Sequence, residues 1–309
     1  MVADLDPDER RGNPTGTAGR RVLLLVNPRS RRGDSPLNGV IDVLQQAGMA
    51  VLRESVETPE EVSPDIIRRA GEVDCVVVCG GDGSVNAAAR GILATGLPLG
   101  IIPLGTGNDL ARTLGLPLDP VAAAAIVAAG ATRLVDVGEV NGHPFFNVAS
   151  LGISTALAEE LTREVKRRWG RLGYALAAVS ALLKARPFTA RIVSTSDSVT
   201  VHTMQVAVGN GRHYGGGMTV SEDAAIDDGE LDLYSLEFPS VWSMVLMLPA
   251  FVSGAQGRWR EVRTVRCASF EIRTRRPRKV SADGEVVTQT PARFRVLPAA
   301  VHIFVPPGA

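Results

Sequence analysis

Residues 80–86 read GGDGSVN and residues 103–109 read PLGTGND. Each segment follows a short apolar run and leads into a helix-like segment. Glycine lets backbone N–H groups approach phosphate oxygens closely, and the N-terminus of a helix favours negative charge. Each segment also carries one carboxylate, Asp82 or Asp109, which can order Mg²⁺ or polarise an attacking hydroxyl. The pair of segments therefore predicts a phosphate-and-magnesium site at the edge of an α/β sheet.

A structural interpretation of the glycines competes with this one, because a tight strand-to-helix corner often needs glycine for its shape alone. A single GGDG turn is therefore a weak signal, and the two segments in fixed order are a stronger one. Neither segment is a Walker A loop, since no G-x-x-x-x-G-K-[ST] occurs. Neither contains a full G-x-G-x-x-G, so a dinucleotide-binding dehydrogenase is a poor fit.

The sequence around these segments alternates between strand-like and helix-like patterns. Strands are predicted at residues 21–26, 51–57 and 74–79, and helices begin at Ser35, at Thr58 and at Asp119-Pro120. The continuous apolar character of residues 74–79 suits a sheet covered on both faces. Residues 20–138 are therefore predicted to form a doubly wound α/β nucleotide-binding domain, in which ligands lie beyond the carboxyl ends of the strands.

Beyond residue 132 the pattern changes to short strands. Runs at 134–140 and 144–148 flank Asn141-Gly142, which is a strong hairpin signal. A long helix is predicted over residues 154–183. Further strand-like runs lie at 188–195, 199–208, 231–236, 264–274, 278–282 and 293–297. These runs indicate a second, antiparallel β-rich domain over residues 139–298.

Composition limits the classes of function. The formal net charge is 0, so no global field attracts the chain to nucleic acid. The three cysteines form no C-x-x-C pair, and residues 1–19 are predicted to be a disordered polar tail. The longest uncharged apolar stretch, 241–256, is too short to span a bilayer. We expect a cytoplasmic protein that is at most peripherally membrane-associated. The basic segment 258–279 either meets anionic headgroups or is a solvated strand face.

At its glycine-rich segments the chain resembles the diacylglycerol kinase catalytic-domain family, which includes bacterial lipid kinases, sphingosine kinases and ceramide kinases. The resemblance rests on residues 80–86, 103–112, 27–30, 227–232 and 283–285, and extends from about residue 22 to residue 305. Ser84 stands where threonine is common, and Arg29-Ser30-Arg31 replaces a more usual small-residue turn. The resemblance implies ATP- and Mg²⁺-dependent phosphorylation of a lipid hydroxyl, with residues 139–298 as the lipid-binding domain. It also implies that residues 299–309 return to the first domain as a strand.

The resemblance implies a nucleotide site built from both glycine-rich segments and the end of the first strand. Its predicted residues are Asn27, Pro28, Arg29, Ser30, Arg31, Thr58, Gly80, Gly81, Asp82, Gly83, Ser84, Val85, Asn86, Gly105 and Thr106. Thr58 fits a helix N-cap equally well. Asp82 and Asp109 are the candidates for the active metal site, and the alternative role of Asp109 is to cap the helix that begins at Leu110.

The late Asp283-Gly284-Glu285 segment is also a common hairpin turn. The resemblance places it opposite the nucleotide, across an active-site cleft between the two domains. There one of its carboxylates acts as general base on the lipid hydroxyl. Glu285 is the favoured proton acceptor, with Asp283 close beside it. The predicted catalytic residues are thus Glu285, Asp283, Asp82 and Asp109.

A structural Mg²⁺ is a further implication of the resemblance. Asp228 is predicted to supply a side-chain oxygen, and Ala225 and Glu230 their backbone carbonyls. For the acceptor lipid, the basic segment 166–171 beside the apolar segment 174–183 suggests interfacial binding, and a core helix with a solvated start is the alternative. The Gly-rich residues 209–217 are either a loop that lines the cleft or a plain β connection.

Two other functions compete with a lipid kinase. NAD kinase also uses a GGDG turn, but the segment Gly105–Arg112 matches the lipid kinases throughout. A catalytically silent lipid-binding regulator on the same fold is expected to have lost carboxylates, whereas Asp82, Asp109, Asp283 and Glu285 are all present. The predicted partners are a lipid at the membrane surface and a second copy of the chain in a homodimer, and no nucleic acid.

Overall fold

The structure, a computed structural model, describes residues 19–27, 35–56, 58–160, 186–194, 197–211, 213–214, 218–219, 225–238 and 262–308. Several sequence predictions fall outside these residues. They are the tail up to residue 18, the turn residues Pro28, Arg29, Ser30 and Arg31, most of the predicted helix 154–183, residues 215–217 and the apolar stretch 241–256. None of the described helices is both long and apolar enough to cross a membrane.

The described residues form helices and strands that are numbered along the chain. The helices are α1 (Ser35–Gln46), α2 (Pro59–Arg69), α3 (Asp82–Thr95), α4 (Asp109–Thr113), α5 (Pro120–Ala129) and α6 (Ile153–Glu160). The strands of the first half are β1 (Arg21–Val26), β2 (Ala50–Ser55), β3 (Cys75–Gly80), β4 (Leu99–Pro103), β5 (Thr132–Val140), β6 (His143–Phe145) and β7 (Val148–Gly152). The remaining strands are β8 (Phe188–Ser194), β9 (Ser198–Thr203), β10 (Gln205–Gly209), β11 (His213–Tyr214), β12 (Met218–Thr219), β13 (Leu231–Leu236), β14 (Val262–Cys267), β15 (Ser269–Thr274), β16 (Lys279–Ala282), β17 (Glu285–Gln289) and β18 (Ala292–Phe304).

The first half is a parallel sheet in the order β2-β1-β3-β4. Strand β3 is buried along its whole length, as its apolar sequence predicts, because helices cover both faces. One hydrophobic core joins the sheet to α2 and α3, and another joins it to α1 and α5. Gly80 pairs with Pro103 at the ends of β3 and β4. Both glycine-rich segments therefore leave the same edge of the sheet.

The second half is antiparallel, as predicted, but it is divided between two sheets. Strand β18 pairs in parallel with β4 and antiparallel with β5 and β15. With β6 beside β5, and with β8 and β9 beyond β15, the sheet has ten strands. The other sheet has six strands in the order β14-β13-β10-β7-β16-β17. Side chains from both sheets meet in a third hydrophobic core that contains Phe145, Phe188, Phe270 and Phe294.

Two of the predicted strands are wrong as single elements. The run 199–208 divides at Met204 into β9 and β10, and the run 264–274 divides at Ala268 into β14 and β15. At each break the chain passes from one sheet to the other, so the apolar alternation continues while the hydrogen-bond partners change. Conversely, residues 293–297 and 300–305 belong largely to one strand, β18, whose register shifts between Leu297 and Val301. Strands β7 and β17 were not predicted.

Two Asx-Gly pairs form tight turns with positive φ at both residues. Asn141 and Gly142 have φ values of 49° and 81° between β5 and β6, which confirms the predicted hairpin. Asp283 and Gly284 have φ values of 45° and 86° between β16 and β17. The type I′ turn, which closes many two-residue hairpins, requires positive φ at both of its central residues. The second turn holds Asp283 at the end of the six-stranded sheet.

Candidate active site

The two glycine-rich segments contact each other backbone to backbone. A Cβ atom built on Gly105 lies 2.5 Å from the Cα of Gly81, and one built on Gly81 lies 3.0 Å from the Cα of Gly105. The N–H of Leu104 also donates to the carbonyl of Gly80 at 2.9 Å. Only glycine fits at both positions without moving backbone. The glycines are therefore required by the meeting of the two loops and not merely by separate corners.

The second loop is closed by its own asparagine. Asn108 has a left-handed backbone with φ 52°; its Oδ1 accepts the N–H of Gly105 at 3.0 Å and its Nδ2 donates to the carbonyl of Gly105 at 3.0 Å. Arg112 Nε donates to the carbonyl of Gly107 at 3.1 Å. A Cβ on Gly107 lies 3.0 Å from Asp82 Oδ2. The closed loop thus passes directly over the carboxylate of the first segment.

Asp82 lies where the first loop meets the start of α4. Its Oδ1 accepts the N–H of Leu110 at 3.2 Å. Burial raises the pKa of Asp82, the neighbouring charge of Asp109 raises it further, and the N–H groups of Leu110, Asp109 and Asn108 oppose the shift. The cap of α4 is thus supplied in part by Asp82, with Asn108 in the N-cap position. Asp109 is in the first turn and 7% exposed, so it is not the cap that the alternative interpretation required.

Asp283 holds a segment of the other half of the molecule. Its Oδ2 accepts the N–H of Phe146 at 2.8 Å, and its Oδ1 accepts those of Asn147 at 3.0 Å and Val148 at 3.1 Å. Burial raises the pKa of Asp283 to about 6; the three N–H groups oppose the shift and the charge of Asp82 adds to it. The carboxylates of Asp82 and Asp283 are therefore electrostatic neighbours. Glu285, two residues on, is exposed at the first position of β17.

The end of β1 joins the first loop. Asn27 Nδ2 donates to Ser84 Oγ at 3.1 Å, and a Cβ on Gly80 lies 2.4 Å from the same hydroxyl. Val85 differs from the prediction, since its side chain is in the hydrophobic core and its N–H donates to the carbonyl of Gly81. It has no side-chain contact to offer a nucleotide. Asn86 Oδ1 is buried and has no hydrogen-bond partner among the described residues.

Three further residues predicted for the nucleotide site are at the rim. Thr106 and Gly83 are exposed, and a Cβ on Gly83 has no atom within 4 Å. Thr58 occupies the N-cap position of α2 with extended backbone, but its hydroxyl makes no capping hydrogen bond. Its two interpretations, as a cap or as a ligand, both remain predictions.

The predicted structural magnesium residues lie in one turn, and the carboxylate of Asp228 already has partners there. Asp228 Oδ1 accepts the N–H of Glu230 at 3.0 Å, and Oδ2 pairs with the guanidinium of Arg266. Arg266 also contacts Glu230 at 3.4 Å and Asp232 at 3.2 Å. Both oxygens of Asp228 thus have partners within the fold, and a carboxylate oxygen that accepts one hydrogen bond still has a lone pair for a metal ion. The assignment of Ala225, Asp228 and Glu230 stays a prediction.

The carboxylates of Asp82 and Asp109 suit the binding of Mg²⁺. Among the described residues there is no group of three or more His, Cys, Asp and Glu side chains that could hold a metal alone. Mg²⁺ typically takes only one or two protein carboxylates and completes its shell with phosphate oxygens and water. The neighbouring charges of Asp82 and Asp109 under Gly107 meet that requirement.

Several residues of this region were missed by the sequence analysis. Asp136 is 3% exposed and accepts the N–H groups of Gly229 and Ala299, each at 2.7 Å, so it ties the Asp228 turn and the irregular part of β18 to β5. The sequence signal that could have revealed Asp136 was a carboxylate inside the largely apolar run 134–140. Asn147 and Asn210 are also buried here, and only the Gly-Asn-Gly context of Asn210 hinted at a role.

Asp283 is expected to titrate near pH 6 in the folded protein, above its ordinary value of 3.8. Because the folded pKa is raised, its contribution to stability is present below about pH 4 and is lost as the pH rises through 6. Replacing Asp82 by asparagine removes a neighbouring charge and should lower the midpoint. Carbon-detected NMR of the aspartate carboxyls measures both midpoints. Asp119→Asn, at the N-cap of α5, is the control that should leave the midpoint unchanged; a wild-type midpoint near 4 would contradict the expectation.

Comparison with known proteins gives the same family as the sequence motifs. Residues 21–140 match the diacylglycerol kinase catalytic domain, and residues 147–305 match the YegS C-terminal NAD kinase beta sandwich-like domain. A diacylglycerol kinase of Mycobacterium tuberculosis is 33% identical over 299 residues, with 93% of this chain and 95% of that protein covered. A YegS-like lipid kinase of Pectobacterium atrosepticum is 31% identical over 303 residues, covering 93% and 96% of the two chains.

The fold is also similar to a solved structure. A crystal structure of a diacylglycerol kinase from Bacillus anthracis superimposes with a TM-score of 0.78 at 26% identity, and covers 93% of this chain and 98% of that one. The predicted α/β half with an antiparallel β-rich second half is confirmed. The two family-model matches, over residues 21–140 and 147–305, include both glycine-rich loops and the Asp283 turn. The chain therefore belongs to the diacylglycerol kinase family of lipid kinases.

Proposed function

We propose that this kinase transfers the γ-phosphate of ATP to a hydroxyl group of a diacylglycerol-like or sphingoid lipid, with Mg²⁺ bound beside Asp82 and Asp109. The observation that carries the proposal is the backbone contact of Gly81 with Gly105, which places Asp82 beneath the second loop and next to Asp283. Phosphoryl transfer requires mainly positioning and charge stabilisation. Two rigidly joined loops with carboxylates between them supply both.

In this proposal each part of the site has one task. The N–H groups at the start of α3 bind phosphate oxygens, since the first N–H groups of a helix have no intrahelical partner. Asp82 and Asp109 would hold Mg²⁺, which would supply positive charge beside the oxygens of the transferring group. Glu285 accepts the proton of the lipid hydroxyl as the new oxygen–phosphorus bond forms and the bond from the γ-phosphorus to ADP breaks. Asp283 orients residues 146–148, because its oxygens already accept three N–H groups.

A nucleotide acceptor is the second candidate. The matching model for residues 147–305 is described as NAD kinase-like, so the second half has the architecture in which NAD is phosphorylated. The loop Gly105–Arg112 belongs to the catalytic domain of lipid kinases and favours the lipid. The assay that decides between the two acceptors must therefore contain both.

Membrane contact is proposed to be peripheral and to occur through the second half. The basic segment 258–279 is not the strongest surface for it. Arg263 pairs with Glu237, Arg266 with Asp228 and Arg273 with Glu271. These three arginines are thus paired within the fold, which favours the solvated-strand interpretation for their part of the segment.

We expect the full-length protein, given labelled ATP and Mg²⁺, to label one lipid in a detergent-dispersed panel of diacylglycerol, monoacylglycerol, sphingosine and ceramide. NAD in the same mixture should remain unlabelled. Chromatography of the products identifies the acceptor, and a parallel reaction with excess EDTA measures the need for the metal. Labelled NAD, or ATP binding without any labelled lipid, would overturn the proposal in favour of the nucleotide kinase or of a silent regulator.

A further inference from the structure

Three buried oxygen atoms near the carboxylates have no hydrogen-bond partner among the described residues. They are Thr113 Oγ1, Asn147 Oδ1 and Asn210 Oδ1. Asn147 is 5% exposed and Asn210 is 1% exposed. A buried polar atom without a hydrogen-bond partner destabilises a fold, so each one needs an explanation, such as a group that binds there. None of the three has a place in the nucleotide site described above.

The three residues converge on one point of contact between the halves of the molecule. The N–H groups of Asn210 and Gly211 both donate to the carbonyl of Asn147, at 2.8 and 3.4 Å. A Cβ on Gly211 lies 3.6 Å from Thr113 Oγ1 and 3.6 Å from the carbonyl oxygen of Phe146. Gly211 thus stands between Thr113 on α4 and the residues 146–147.

This contact adjoins the carboxylates. Asn147 donates its N–H to Asp283 at 3.0 Å. Thr113 is four residues after Asp109, and residues four apart lie on the same face of a helix. Thr113 therefore lies next to Asp109, and the backbone of Asn147 lies next to Asp283.

The orientation of the Asn210 side-chain amide decides whether a ligand there meets a hydrogen-bond donor or an acceptor. Asn210 Nδ2 donates to the carbonyls of Asp136 at 2.9 Å and Phe146 at 3.1 Å. The reversed amide would set its oxygen against two carbonyl oxygens, so the assignment is fixed by these contacts. Asn210 Oδ1 is therefore only an acceptor. It suits a hydroxyl group and repels a phosphate, which at neutral pH offers oxygens and almost no donors.

We propose that Thr113, Asn147 and Asn210 form the subsite for the hydroxyl-bearing end of the acceptor lipid. The amide oxygens accept hydrogen bonds from alcohol groups, and the Thr113 hydroxyl can donate to or accept from the same end. The inference rests on the proposed lipid kinase activity and adds where the acceptor binds. Glycerol lipids and sphingoid lipids share this chemistry, so both are tested.

Thr113→Val is the test variant, because valine keeps the shape and this hydroxyl has no hydrogen-bond partner among the described residues. The KM for the dispersed lipid should rise roughly fivefold to tenfold, the effect of losing one neutral hydrogen bond in a buried site. The KM for ATP should be unchanged, and Thr113→Ser should restore the lipid KM. Each value is measured with diacylglycerol and with sphingosine, and the acceptor with the larger rise identifies the source of the hydroxyl.

Ser235→Ala is the matched control. The Ser235 hydroxyl is also buried and without a partner among the described residues, but it lies on β13, paired with Val206 and away from the Asn210 end of β10. This variant should leave both KM values as in the wild type. An unchanged lipid KM in Thr113→Val, or an equal rise in Ser235→Ala, overturns the subsite alone. Absence of lipid phosphorylation by the wild type overturns the proposed function, and the subsite with it.

Discussion

Asp82→Asn is expected to lower kcat for lipid phosphorylation by roughly a hundredfold to a thousandfold, the scale of removing a central electrostatic group from a preorganised site. Asparagine keeps an oxygen that can accept the N–H of Leu110, so the start of α4 should stay in place. Because burial and the charge of Asp109 raise the pKa of Asp82, its ionised form is unfavourable in the fold. The neutral variant should therefore melt at the same temperature as the wild type or higher, a combination that is common where function and stability conflict.

The measurement pairs kcat from labelled ATP with thermal melting of the same samples. Asp119→Asn supplies the control, since Asp119 caps α5 by accepting the N–H of Ala122 and takes no part in the site. It should retain the wild-type kcat. If Asp82→Asn phosphorylates lipid at the wild-type rate, Asp82 has no role in transfer. If it loses activity only because it unfolds, the melting curve will show it.

Gly105→Ala is expected to remove most of the activity and also to lower the melting temperature. The added methyl would lie 2.5 Å from the Cα of Gly81, which is backbone and cannot rotate away. The two loops must separate, and overpacking of this kind typically costs about 1–3 kcal/mol of stability. A displacement of an ångström in a positioning site costs on the order of a hundredfold in rate. The expected result is thus a joint loss, unlike the loss of rate alone in Asp82→Asn.

Gly71→Ala separates this effect from a general effect of adding a methyl group to glycine. A Cβ on Gly71 has no atom within 4 Å, and its backbone φ is not in the positive region. Rates and melting temperatures of this variant should match the wild type. An active and stable Gly105→Ala would show that the loops are not held in contact in solution.

The family and the position of the glycine-rich loops could be predicted because they depend on local sequence. Glycine, short apolar strands and an Asn-Gly turn each have local causes, and the structure agrees at Gly81, Gly105 and Asn141. The breaks at Met204 and Ala268 could not be predicted, since the alternation of apolar residues continues while the strand changes its partners. Which sheet a strand joins is a long-range property that its own residues do not encode.

The candidate site divides in the same way. The carboxylates Asp82, Asp109 and Asp283 were predicted from motifs, and the structure brings them together. The three N–H groups that Asp283 accepts come from residues more than a hundred positions away, so no local pattern could indicate them. The roles of Glu285, of Thr58 and of the Asp228 turn stay predictions, because neither the fold nor the family matches test them.

Strand β18 has a consequence for how the protein is synthesised. Its residues Val301 and Ile303, with Val305 just beyond its end, complete the hydrophobic core that α2 and α3 form with the parallel sheet. Ile303 pairs with Leu99, so β18 also covers the edge of β4. A ribosome makes β18 after every other described strand, whereas domains often fold from the N-terminus as they emerge. The α/β half of this kinase must therefore wait, with an open strand edge, until translation of the β-rich half is nearly finished.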